Sequence, residues 1–151
     1  MGLPHPLCEY NNQVPASITD SMASIPEEFH DLFERPTIAH VSTMLPNGYP
    51  HVTPVWIDYD IDENLLLVNT ERDRRKELNV RKNPQVGVSM TDPDDPYRRI
   101  SVFGDVVEHT TEGAREHIDE LAHRYTGQAY TEANEIETER VLLKISPERV
   151  F

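Results

Sequence analysis

Cysteine is almost missing. Cys8 stands alone, so no disulfide can close within the chain, and a reducing cytoplasm is the expected compartment. No apolar run approaches membrane-spanning length, and the first residues lack a basic segment followed by an apolar one. Neither a membrane anchor nor a secretory leader is therefore expected. The seven histidines show no HExxH or other ligand spacing, and His5 with Cys8 makes too small a ligand set for a metal. Lysine is the most telling scarcity. Lys76, Lys82 and Lys144 are the only lysines among 14 basic residues, against 27 acids and a net charge of -13. So negative a surface argues against nucleic-acid binding, which needs phosphates to be neutralised. Lysine depletion with excess acid resembles proteins of high-salt cytoplasm, where acidic surfaces stay hydrated and their repulsion is screened.

Apolar residues are also sparse, at 37% of 151 residues. That length suits one domain, and the low apolar share implies that a second copy completes part of the core. Residues 1–24 are rich in Pro, Asn and Ser and are expected to form an arm packed across a subunit boundary. The domain itself is expected over residues 25–151.

Against this acidic background, six of the 14 basic residues fall between Arg72 and Lys82, opposed there only by Asp73 and Glu77. Concentrated positive charge in a negative protein marks a place for an anion; the alternative is a solvated helix face balanced by acids elsewhere. The window follows an apolar run, Leu65-Leu66-Leu67-Val68, that reads as a buried strand, and runs on without Gly or Pro as a helix up to Asn83-Pro84. A strand ending in Asn69-Thr70 and opening into such a helix suits a phosphate: backbone N–H groups, a hydroxyl and cationic side chains converge.

The rest of the chain reads as strands joined by short helices. Ser24 before Pro26 and Glu27 predicts a helix start, with Phe29, Leu32 and Phe33 on one face. Thr37–Met44 alternates as a strand, Pro46-Asn47-Gly48 turns it, and Tyr49–Tyr59 returns as its hairpin partner. Pro50 and Pro54 cannot donate to a ladder, so that partner is expected to have an edge or a bulged portion. Two further strands, Gln85–Met90 and Tyr97–Glu108, flank the acidic Asp92–Pro96 loop. Thr111 is the expected cap of a helix whose Ala114, Ile118, Leu121, Ala122 and Tyr125 share one side, and Arg140–Ser146 forms the last full strand. Six strands and three short helices imply a mainly β, α+β fold: an antiparallel barrel with helices around it.

In this order the segments resemble the split β-barrel flavin and deazaflavin oxidoreductases of the pyridoxamine-5'-phosphate-oxidase-like superfamily, and within it the branch of coenzyme F420-dependent enzymes. The resemblance rests on Ala39-His40-Val41-Ser42-Thr43 before Pro46-Asn47-Gly48, and on His51-Val52-Thr53-Pro54-Val55-Trp56. It rests further on Asn69-Thr70 with Arg74, Lys76 and Asn79 before Asn83-Pro84, and on Asp92-Pro93-Asp94-Asp95-Pro96-Tyr97-Arg98 before the Gly104 strand. It covers residues 25–151 and implies a homodimeric split barrel of the FMN-binding type, with two cofactor sites between subunits.

The resemblance implies that Arg74 and Lys76 bind the phosphate of FMN or coenzyme F420, with Thr70 assisting. Thr53, Pro54, Val55 and Trp56 would line the tricyclic ring, and Tyr97 and Arg98 would reach it from the other subunit. A hydride then passes between ring and a small oxidised organic substrate, and the chain needs no acid–base constellation of its own. His40 and His51 lie near this site as structural residues, and Tyr97 is open to either a proton-donating or a packing role. The phosphate motif does not separate FMN from F420; the branch resemblance and the acidic composition favour F420. Pyridoxamine phosphate oxidation is disfavoured, because the C-terminal Arg and His that bind that substrate have no counterpart here. A carrier or redox sensor without turnover, and a haem- or tetrapyrrole-binding barrel, remain as alternatives.

Overall fold

The computed structural model describes residues 23–151, apart from the side chains of residues 132 and 133. The arm expected over residues 1–24 lies almost wholly outside the described residues, and His5 and Cys8 with it.

Seven strands form one antiparallel sheet: β1 (Ala39–Met44), β2 (Pro50–Val55), β3 (Ile57–Asp60), β4 (Leu65–Glu71), β5 (Gln85–Asp92), β6 (Asp95–Thr110) and β7 (Arg140–Val150). Their order across the sheet is β2-β1-β5-β6-β7-β4-β3. The two edge strands are thus consecutive in the chain, with Trp56 alone between them. Laid flat, seven strands would hold their edges about 29 Å apart, whereas the two bonds from Val55 to Ile57 span about 7 Å. The sheet must therefore curl until its edges meet at Trp56. The single long strand expected over Tyr49–Tyr59 is corrected accordingly: β2 pairs with β1 and β3 with β4, which gives seven strands rather than six.

Edge placement of β2 follows from its prolines, as expected, since Pro50 and Pro54 donate nothing to a neighbour. The β1–β2 turn closes through Gly48, whose φ of 87° favours glycine, and Gly48 N–H donates to the Leu45 carbonyl. Inward residues alternate along the strands. Val88 and Met90 of β5, Ile100 and Val102 of β6 and Leu143 and Ile145 of β7 meet Leu66 and Val68 in one core. Each large aliphatic side chain so buried contributes about 1.5–3 kcal/mol.

Among the described residues four helices decorate the barrel: α1 (His30–Glu34), α2 (Arg75–Lys82), α3 (Ala114–Thr126) and a four-residue α4 (Tyr130–Ala133). A 3-10 turn, Glu27–Phe29, precedes α1, with Pro26 at the cap position and no side-chain cap, so Ser24 does not cap as expected. Gly113, in the left-handed region, opens α3 in place of Thr111, and the Thr111 carbonyl instead accepts from Ala114 N–H. The face of α3 is as expected: Ala114, Ile118, Leu121 and Ala122 are buried. No described helix is long and apolar enough to cross a membrane.

Candidate functional site

Barrel closure places a cleft where the edges meet. Tyr125 of α3 stacks on Trp56 with ring centroids 5.2 Å apart and 16° between planes. Its hydroxyl donates to the Thr37 carbonyl at 2.6 Å and accepts from Ile57 N–H at 3.2 Å. Trp56 is thus held by the seam it closes, and one face of the seam is aromatic. Burial pushes the Tyr125 hydroxyl above its ordinary pKa, so it stays a neutral donor.

Below Trp56 the end of β4 turns into α2. Glu71 is buried at 2% exposure and accepts from Thr138 N–H at 2.6 Å and from Arg74 Nη2 at 3.3 Å. Burial pushes its carboxyl up, yet the backbone donors at Thr138 and Glu137 and the Arg74 guanidinium outweigh this and hold it below the usual value. Glu71 thereby ties the loop to α2 and aims the first turn of the helix along the cleft. Asp73 adopts φ 70° to make the corner, and its N–H donates to Glu77 Oε2 at 3.3 Å.

The cleft encloses about 320 Å³ and is lined by Pro54, Val55 and Trp56 from the seam, by Asn69, Thr70, Arg74 and Lys76 from the β4–α2 junction, and by Tyr130, Arg140, Ile38 and Ile118. In a chain with 27 acids, no carboxylate among the described residues lines it, while three cations do. Lys76 has no acidic partner among the described residues. Burial, then the guanidiniums of Arg74 and Arg140, press its ammonium below the ordinary lysine pKa. A half-buried cation facing like charges lacks its counter-ion. Arg140 stacks on the Tyr130 ring at 4.9 Å and lies 3.8 Å from Glu71, which neutralises one of the three.

Six of the nine residues expected at the site therefore meet in one cleft: Pro54, Val55, Trp56, Thr70, Arg74 and Lys76. Thr53 sits one residue before the lining strip; its hydroxyl is buried without a partner among the described residues. Tyr97 and Arg98 lie elsewhere. Tyr97 is 85% exposed at the start of β6. Arg98 reaches inward within its own subunit, donating to Asp92 at 2.8 Å and to Asp31 at 3.0 and 2.5 Å, with Phe29 beneath it. Asn69, Tyr130 and Arg140 were not expected in the cleft. Asn69 stood within the quoted motif without a site role, but Arg140 reaches the site through its register opposite Glu71, which no local pattern announces.

A curled seven-stranded barrel whose one closure residue overhangs a cationic cleft defines a split-barrel protein, and the comparisons agree. The family model for pyridoxamine 5'-phosphate oxidase matches residues 25–151, and the chain belongs to that family of split-barrel oxidoreductases. Among solved structures it is similar to an F420 reductase, with 31% identity over 84% of this chain and 98% of that one, TM-score 0.74. It shares the fold of HupZ from Group A Streptococcus, at 22% identity over 84% of this chain and 92% of that chain, TM-score 0.62. General stress protein 26 from Bacillus anthracis shares it too, at 19% identity over 83% and 90%, TM-score 0.59. No curated protein matches the chain.

Proposed function

We propose that the protein is a homodimeric oxidoreductase that reduces small oxidised organic molecules with a deazaflavin or flavin, coenzyme F420 in preference to FMN. The observation that carries this reading is the cleft with three cations and no carboxylate among its described residues in a chain of net charge -13. Similarity to an F420 reductase supports the choice of deazaflavin. Three features fit a planar, phosphate-bearing group. Among the described residues Lys76 lacks an acid and the Thr53 hydroxyl lacks a partner, and Trp56 lines the cleft together with Lys76.

Arg74 and Lys76 would hold the phosphate, with the Thr70 hydroxyl and Arg140 as further donors. Pro54, Val55 and Trp56 would orient the ring and exclude water from one side of it. The bound cofactor supplies hydride transfer; the chain supplies position and field. A second subunit would close the open side, presenting Tyr97 and Arg98. Tyr97 is free to do so, whereas Arg98 would exchange Asp31 and Asp92 for the cofactor.

Because Trp56 is the only tryptophan, its emission reports the cleft alone. Titration with F420 and FMN side by side should quench it saturably, F420 at the lower concentration. Absence of quenching by both would remove the reading. Sedimentation should give a dimer, and a monomer that still binds cofactor would contradict a site between subunits.

The acid excess extends the proposal to a high-salt cytoplasm. Asp31 and Asp119 are held below the usual carboxylate range by Arg98 and Arg115, and Asp92 by the Asp94 N–H and then Arg98. Asp58, Glu71 and Glu77 are also paired with arginines, and most other acids lie on the surface as like charges. Their repulsion is unscreened when the Debye length grows from about 3 Å at 1 M salt to about 30 Å at 0.01 M. The thermal unfolding midpoint is accordingly expected to fall on dilution from molar to millimolar KCl; an unchanged midpoint would undo the halophilic assignment.

A further inference from the structure

The side-chain amide of Asn69 has two partners whose roles chemistry fixes. The Ala114 carbonyl can only accept, so the atom 2.8 Å from it is Nδ2. Arg140 Nε can only donate, so the atom 2.9 Å from it is Oδ1. The amide orientation, normally ambiguous, follows from these two contacts together. The second hydrogen of Nδ2 then faces His117 Nδ1 at 3.2 Å. Nδ1 must accept it and therefore carries no proton. Neutral imidazole holds its proton on the other nitrogen, Nε2, which stands 3.2 Å from Asp58 Oδ2 and donates to it. Arg124 Nη1 in turn donates to the other Asp58 oxygen at 3.1 Å.

Four elements are joined by this line of bonds: β3 through Asp58, α3 through His117 and Arg124, β4 through Asn69, and β7 through Arg140. His117 is 8% exposed and is not among the residues lining the cleft. Arg140 is the one cleft cation whose side chain is almost fully enclosed, at 6%. Its Nε is spent on Asn69, which leaves the Nη atoms to face Tyr130, 3.4 Å away, and the cleft.

We propose that His117, as the neutral Nε2–H tautomer, is a positioning residue: it fixes the Asn69 amide, and the amide fixes the direction in which Arg140 presents its guanidinium to the cleft. The role of Arg140 rests on the proposed cofactor reading, while the tautomer does not. With Nδ1 unable to accept, Asn69 loses the partner that holds its amino group beside the Ala114 carbonyl. Its amide is then free to swing, and Arg140 turns with it. The geometry makes a distinction that simple packing does not: an acceptor at the Nδ1 position suffices, and the bulk of a ring does not.

Imidazole nitrogen NMR of the wild type in neutral buffer, with His117 identified by its loss in the variants, is expected to show the proton on Nε2 and none on Nδ1. His117→Asn keeps an acceptor near Nδ1; His117→Leu removes it. Fluorescence titration with F420, FMN and inorganic phosphate should give the Asn variant wild-type affinity within about threefold. The Leu variant should bind about tenfold more weakly. A proton on Nδ1, wild-type affinity in the Leu variant, or equal losses in both variants would overturn the proposal. If the Leu variant fails to fold, the wild-type spectrum and the Asn variant still decide it. If the wild type binds none of the three probes, the cofactor reading fails and the role of Arg140 with it, whereas the tautomer is read without any ligand.

Discussion

Replacing Arg74 and Lys76 together by Ala is expected to abolish cofactor binding and leave the fold intact. Each charge-assisted bond to a phosphate contributes about 1.5–3 kcal/mol. The pair therefore contributes about 3–6 kcal/mol, and affinity should fall by about 10² to 10⁴-fold. The fold should survive because neither side chain is part of the core. The Arg74 side chain is 57% exposed and its one ion pair is with Glu71 at 3.3 Å, a carboxylate that keeps its bond from Thr138. Lys76 opposes the fold in the absence of ligand. Burial and the two guanidiniums lower its pKa, so the charged ammonium destabilises the native state at every pH below that lowered value. The cost shrinks as pH rises from that lowered value towards the ordinary lysine pKa, and is gone above it. Lys76→Met should for the same reason raise the thermal midpoint of the cofactor-free protein while weakening binding, an exchange of stability for function. Calorimetry and fluorescence titration on the same samples separate the two effects. Unchanged affinity in the double variant would end the phosphate assignment, and a lower midpoint for Lys76→Met would show that the ammonium is satisfied within the protein.

What was legible in the sequence was local. The turn at Gly48, the edge placement of Pro50 and Pro54, and the β4–α2 basic junction all depend on residues within a few positions of one another, so spacing exposes them. The barrel itself was legible as a class. Its closure was not, because the break at Trp56 is invisible in an apolar-polar alternation that runs on through Ile57 and Tyr59. Only the sheet order, in which β2 and β3 are opposite edges, shows that one residue must carry the turn. The helix starts failed for a related reason. Ser24 and Thr111 are good caps by type, but docking of α1 and α3 on the barrel decides where each helix begins. At α3 the corner needs a positive φ, which Gly113 supplies. In the cleft, charge density pointed to the Arg72–Lys82 window and the family resemblance to Arg74 and Lys76 within it, whereas Arg140 and Tyr130 arrive from 64 and 54 residues further along than Lys76. Their place depends on β4–β7 register and on α4, and pairwise spacing carries no trace of either.

Gly104→Val is expected to be the most destabilising single substitution in the barrel, and the reason lies in the seam between β6 and β7. The pairing of these strands shifts register between Phe103 and Gly104, where Gly104 lies opposite Pro147. A Cβ at Gly104 would sit 2.5 Å from the Ser146 carbonyl oxygen and 2.7 Å from Ile145 Cγ2. The first of these is backbone and cannot rotate away. Nor can the strand retreat, since β6 is held on its other side by β5 from Gln85 to Asp92. Overpacking of this kind costs about 1–3 kcal/mol where neighbours can yield, and more where they cannot, against a total stability of about 5–15 kcal/mol. Valine should therefore cost about 3 kcal/mol or more, read as a lower midpoint in urea with the slope unchanged. Gly87→Ala is the matched control. It lies on the adjacent strand, its nearest neighbour would be Ser42 Cβ at 3.9 Å, and loss of backbone freedom in the unfolded chain should make it neutral or stabilising by up to about 1 kcal/mol. Equal midpoints for the two variants would mean that the β6–β7 seam opens freely. β7 would then be a poor anchor for Arg140, whose place in the cleft depends on the same strand.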